Sequence, residues 1–139
     1  MTIRELKLLG YDLIDVQLAK DQPLSLALHW QASKPPTANY TVFTQLIGPD
    51  GLVWAQKDNP PQGGRYPTTI WEVDDRVVDR FELSLNEGAP AGEYRLLAGM
   101  YDWTTGQRLP AFDENGNRLP DDAIQITSIS VENTSNNLP

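Results

Sequence analysis

The stretch from Leu24 to Gln31 alternates without a break, with Leu24, Leu26, Leu28 and Trp30 on one face and Ser25, Ala27, His29 and Gln31 on the other. A period of two marks a half-buried β-strand, because successive side chains of an extended chain point to opposite sides. The same signal recurs along the chain. Phe81, Leu83 and Leu85 alternate with Arg80, Glu82 and Ser84, and Tyr94, Leu96, Ala98 and Met100 alternate with Arg95, Leu97, Gly99 and Tyr101. Tyr40 to Ile47 is apolar on both faces, as a central strand requires. No window of ten or more residues carries the 3.6-residue apolar period of a helix.

Turn chemistry falls between these runs. Asp21-Gln22-Pro23, Lys34-Pro35-Pro36-Thr37, Pro49-Asp50-Gly51, Gly88 to Gly92, Thr104-Thr105-Gly106 and Asp113 to Asn117 each carry residues that preset φ or accept a positive φ. Near the N-terminus the alternation shifts after Leu8 and after Leu13, which predicts an edge strand broken by a bulge. Ile124 to Val131 closes the series, with a phase slip between Ile126 and Ile129. Many short strands with frequent turns predict an all-β protein: an antiparallel two-sheet β-sandwich, Ig-like or fibronectin-like, spanning residues 1–131 and followed by a polar tail at 132–139.

With 139 residues the chain is long enough to bury roughly two thirds of its unfolded surface, so a single core is expected without disulfide or metal staples. The 11 basic and 19 acidic residues give a net charge of −8, which disfavours nucleic acid and anionic membranes as partners. There is no cysteine, which excludes thiolate chemistry. No apolar run approaches the roughly 20 residues that span a bilayer, so no insertion of this chain into a membrane is expected. No cofactor is implied.

One segment resists the strand reading. Asp58 to Asp79 is long and polar, and contains Pro60, Pro61, Pro67 and the Gly63-Gly64 pair. The prolines stiffen it and the glycines permit one reversal. It is expected to be an ordered crossover between the sheets, with Tyr66 and Trp71 buried against the sandwich edge and Asp58 and Asp79 bonded to backbone amides at its two ends.

The order of motifs resembles a β-sandwich module in the C-terminal, extracytoplasmic part of bacterial membrane proteins of the dolichyl-phosphate-mannose-type glycosyltransferase class. The matching residues are Leu28-His29-Trp30, Tyr40 to Phe43, Pro49-Asp50-Gly51, Gln56 to Pro61, Tyr66 to Thr69 with Trp71, Asp79, Gly92-Glu93-Tyr94, and Gly99 to Asp102 with Arg108-Leu109-Pro110. The similarity implies a non-catalytic accessory module in an extracytoplasmic setting. Gly92-Glu93-Tyr94 is similar to a tyrosine corner, in which the hydroxyl bonds back to the preceding turn; plain core packing is the alternative for Tyr94.

Candidate chemistry is sparse. His29 is the only histidine, and no serine elbow or paired-histidine spacing accompanies it, so a half-exposed strand histidine is the simpler reading. Glu72, Asp74, Asp75 and Asp79 are close in sequence and could furnish the two carboxylates of a small glycoside hydrolase, about 5 to 9 Å apart. For Asp74-Asp75 a solvated turn is the preferred reading. Asp113, Asn115 and Asn117 open like a calcium loop, but Arg118 and Ile124 stand where glycine and glutamate are required, and a turn at Gly116 is preferred. A weak ion on Asp113, Asp121 or Asp122 is the competing reading, and no metal site is assigned.

Aromatic rings stack on the apolar faces of sugars while carboxylates and amides bond the hydroxyls. Trp54, Trp71, Trp103, Tyr66 and Tyr101 supply such rings. The expected ligand-binding set is Tyr66, Trp71, Asp58, Asp79 and Trp103, with no catalytic residue. The leading expectation is a non-catalytic interaction or accessory module with a glycan or protein partner. A carbohydrate-binding module and a carboxylate-dependent hydrolase are the rivals.

Overall fold

The computed structural model describes residues 1–133. In chain order the strands are β1 (Thr2–Ile3), β2 (Leu6–Leu13), β3 (Gln17–Ala19), β4 (Leu24–Ala32), β5 (Tyr40–Ile47), β6 (Val53–Asn59), β7 (Arg76–Leu83), β8 (Gly92–Asp102), β9 (Ala111–Phe112) and β10 (Ile124–Glu132). They form two five-stranded sheets, ordered β7-β4-β2-β1-β9 and β3-β10-β8-β5-β6. The all-β two-sheet sandwich expected from the alternation is the architecture found.

The uninterrupted alternation of β4 places Leu24, Leu26, Leu28 and Trp30 inside, where each is at most 3% exposed. Facing them from the second sheet are Val42, Leu46, Tyr94, Leu96, Ala98 and Met100, members of the same continuous core. The Tyr94 hydroxyl donates to the Pro90 carbonyl at 2.7 Å, the bond of a tyrosine corner.

The N-terminal segment departs from a single bulged edge strand. A bulge does fall between Leu8 and Gly10. The segment, however, divides into three strands, and β3 leaves the first sheet to pair in parallel with β10. This is the one parallel pairing among the described strands, and the period of the short run Gln17–Ala19 could not reveal its direction. The slip in β10 is a register shift between Gln125 and Thr127. Glu132, expected in the tail, pairs with Ala19, and residues 134–139 lie outside the described residues.

The Asp58–Asp79 segment is an ordered crossover from β6 in one sheet to β7 in the other, built on tight turns at Pro61–Gly64 and Thr68–Ile70. Thr68 is wholly buried; its hydroxyl donates to the Ala38 carbonyl at 2.6 Å and accepts from the Tyr40 amide at 3.0 Å. Trp71 is 1% exposed, donates from Nε1 to the Tyr66 carbonyl at 2.8 Å, and stacks with the Tyr66 ring.

The second sheet also has a covered outer face. Phe43, Ile47, Leu97 and Ala123 form a small cluster separate from the main core, with Tyr101 packed on it. The cluster depends on Gly99, because a Cβ there would lie 2.4 Å from the Phe43 ring. Gly99→Ala is therefore expected to cost about 1–3 kcal/mol through overpacking. Gly10→Ala, where a Cβ meets nothing within 4 Å, is expected to stay within about 0.5 kcal/mol of wild type. Urea unfolding of both variants checks this, and equal midpoints would contradict the packing described.

Candidate functional site

The pairing of β5 with its two neighbours sets what lines up on the outer face of the second sheet. Phe43 stands between Asp58 of β6 and Gly99 of β8, Gln45 stands beside Gln56, and Thr41 beside Tyr101. Because facing partners share a side of the sheet, Phe43, Gln45, Gln56, Asp58 and Tyr101 converge on one surface.

Hydrogen bonds order this surface. Gln45 Nε2 donates to Gln56 Oε1 at 3.4 Å, Gln56 Nε2 donates to Asp58 Oδ1 at 3.2 Å, and the Tyr101 hydroxyl donates to Asp58 Oδ2 at 3.0 Å. Burial and the Asp58 carboxylate both raise the Tyr101 pKa, so the phenol stays protonated and keeps donating.

The hairpin after β8 supplies the last wall. The Asp102 amide bonds to the Gln107 carbonyl and the Leu109 amide to the Met100 carbonyl, so Arg108 returns beside Tyr101. Its guanidinium lies 4.2 Å from the Phe43 ring centroid, and Nη1 donates to the Asp121 carbonyl at 3.0 Å. The result is a groove of about 310 Å³ lined by Phe43, Gln45, Gln56, Asp58, Tyr101 and Arg108, with Gly106 at its edge. A carboxylate, side-chain amides and a cation ring the groove; the Phe43 ring beneath is 2% exposed and covered by Arg108, which leaves half-buried Tyr101 as the aromatic ring at its wall.

The expected ligand set does not gather in one place. Asp58 belongs to the groove, and it bonds side chains in place of the loop amides expected of it, because its strand position turns it outward beside Phe43. Trp71 presents no open ring face. Tyr66 donates its hydroxyl to Asp75 Oδ2, which also accepts from the Glu72 amide at 2.9 Å. These contacts give both rings the work of pinning the crossover. Trp103 is 67% exposed, two residues beyond Tyr101 in the hairpin.

Asp79 does bond the crossover, accepting from the Gln62 amide at 3.0 Å, yet it faces inward beside Leu28 and is 1% exposed. Its second oxygen is buried without a partner among the described residues. Of the other acidic candidates, Asp74 sits at φ 66° in the turn before β7. The carboxylates proposed for hydrolysis are thus divided between core and turn. His29 Nε2 lies 2.7 Å from Asp12 Oδ2 on the outer face of the first sheet. Asp113 Oδ1 accepts from the amides of Asn115 and Asn117, the turn preferred above, and Asp122 is bonded by Arg118. Among the described residues no three acidic or histidine side chains are grouped to hold a metal.

The sequence reading missed Phe43, Gln45, Gln56 and Arg108 as site residues. The available signal was Gly99 two positions before Tyr101: a glycine inside an alternating strand marks close approach of a neighbour. A larger depression of about 420 Å³ lies on the first sheet, where Leu13 and Ile14 sit among Asp12, Ser25, Arg80 and Glu82 and no aromatic ring is open to it, Phe81 being 4% exposed.

No family model matches the chain, and no curated protein matches it. Solved structures do share its fold. The C-terminal domain of Wzt superposes with a TM-score of 0.59 at 15% identity, covering 94% of this chain and 75% of that one. A β-glucuronidase of glycoside hydrolase family 2 matches at 0.54 and 10% identity over 72% of this chain, which spans only 10% of the enzyme's length. A Niemann-Pick type C2 protein from the Japanese carpenter ant matches at 0.50 and 8% identity, covering 94% and 96%. At these identities the likeness is one of fold. No helix among the described residues is long and apolar enough to cross a membrane.

Burial lifts the Asp79 carboxyl from the ordinary 3.8 to about 6, opposed only by the amides of Gln62 and Arg80. A raised folded-state pKa means that the fold binds the proton more tightly than the unfolded chain. Stability contributed by this group is therefore present at low pH and falls as pH rises from about 4 to about 6. Asp79→Asn keeps an acceptor for Gln62 without the charge. It is expected to be more stable than wild type by about 1–3 kcal/mol at pH 8, with the advantage gone below pH 4. Denaturation at both pH values measures this, and a pH-independent difference would refute it.

Proposed function

We propose that this chain is a non-catalytic accessory module that binds a glycan in the groove on the outer face of its second sheet. The observation that carries the reading is the hydrogen-bonded row Gln45–Gln56–Asp58–Tyr101 beside the Arg108-capped Phe43 ring. Sugars present hydroxyls around an apolar ring face, and these groups supply donors and acceptors beside the half-buried Tyr101 ring. Fixed in place by one another, they lose little freedom on binding.

A binding role is favoured over hydrolysis by the acid count. Asp58 is the one carboxylate lining the groove among the described residues, and both its oxygens accept hydrogen bonds. Glycoside hydrolysis ordinarily requires two carboxyl groups across the scissile bond. The resemblance of the motifs to the extracytoplasmic module of dolichyl-phosphate-mannose-type glycosyltransferase proteins supports an accessory position in glycan chemistry. The fold shared with a domain-sized part of a β-glucuronidase is compatible with it.

Titration with a panel of neutral and acidic oligosaccharides at millimolar concentration is expected to shift the amide resonances of Gln45, Gln56, Asp58, Tyr101 and Arg108. Asp58→Asn and Tyr101→Phe are each expected to weaken binding about ten-fold, the effect of losing one charge-assisted hydrogen bond. Silence across the whole panel would sink the glycan reading. Shifts confined to the first sheet would move the site elsewhere.

A further inference from the structure

Arg108 lines two cavities. Besides the groove, it borders a polar pocket of about 350 Å³ whose other charged walls are Arg4, Arg118, Asp102 and Asp122. Three guanidinium groups thus meet two carboxylates, on a chain whose net charge is −8. The local excess of positive charge runs against the sign of the whole molecule.

Both carboxylates are already engaged. Asp122 is bonded in bidentate fashion by Arg118, at 2.6 and 2.8 Å, and Oδ1 also accepts from the Ala111 amide. Asp102 Oδ1 accepts from the amide and hydroxyl of Thr104 at 2.9 and 2.6 Å. Two cations are less committed. Arg4 sits in the two-residue turn between β1 and β2 at φ 51°, and its guanidinium makes no hydrogen bond among the described residues. Arg108 uses one N–H on Asp121, leaving most of its five donors open.

We propose that the ligand is an acidic saccharide, its ring in the groove and its anionic group in the adjoining pocket between Arg4 and Arg108. This rests on the glycan reading and narrows it to sugars bearing a carboxylate, sulfate or phosphate. The guanidinium fork bonds two oxygens of such a group at once, in a way that ammonium does not. The hydrogen bond to Asp121 and the Phe43 ring beneath it hold Arg108 at the boundary of the two cavities, so that one side chain reads both parts of the ligand. A small excess of charge suits one acidic group, whereas the overall −8 opposes an extended polyanion.

The test is a resonance titration of the whole chain, observing backbone amides and arginine Nε–H signals. The probes are inorganic phosphate alone, a neutral galacto-oligosaccharide, its uronic acid counterpart, and a sugar phosphate of similar size. Phosphate is expected to shift Arg4 and Arg108, and at least one acidic sugar to bind about ten-fold more tightly than the neutral one, a preference that shrinks with added salt. Preference for the uronate or for the sugar phosphate distinguishes the two kinds of acidic group, and either supports the proposal. Arg4→Gln is expected to abolish that preference. Equal binding of neutral and acidic sugars, or a preference untouched by Arg4→Gln, overturns the acidic ligand while leaving the glycan reading standing. Phosphate shifts without binding of any sugar overturn both.

Discussion

The sandwich depends on burying the crossover that joins its two sheets. Thr68 and Trp71 are taken out of solvent at the margin between β6 and β7, and their side-chain polar atoms are met by backbone partners. Burial of that aromatic surface stabilises the closed sandwich, and full pairing removes the penalty that an unsatisfied threonine or indole would impose. The prolines flanking each turn reduce the entropy lost when the segment orders. With the crossover seated, β6 is held beside β5, and Asp58 faces outward where the groove needs it.

Asp79 is the counterweight within this arrangement. It secures the Gln62 amide, but it does so from inside the core with one oxygen unpartnered. The carboxylate thus fixes the crossover turn at some cost in stability near neutral pH, a balance between a useful hydrogen bond and desolvation of the charge.

The groove follows from a different constraint, the absence of a side chain at Gly99. That absence lets the Phe43 ring pack closely over β8, and the ring in turn gives Arg108 a surface to cover. An outer sheet face that would otherwise meet water becomes a small second core with polar groups along one border. The binding surface is therefore made by strand register and one hairpin, while the long polar segment Asp58–Asp79 serves as scaffolding.

The sequence by itself determined the fold class, since a period of two in β4, β7 and β8 admits only strands, and turn residues set where they end. It also determined that Asp58–Asp79 would be ordered, because that segment's prolines and large aromatic residues favour a packed loop. Tertiary structure alone decided which side chains meet. The cross-strand neighbours of Phe43 lie 15 residues ahead at Asp58 and 56 ahead at Gly99, and no local pattern encodes that registration. For the same reason the parallel pairing of β3, the inward turn of Asp79 and the placement of Arg108 over an aromatic ring were invisible in one dimension. Each depends on a contact whose free energy exists only after the sheets have paired.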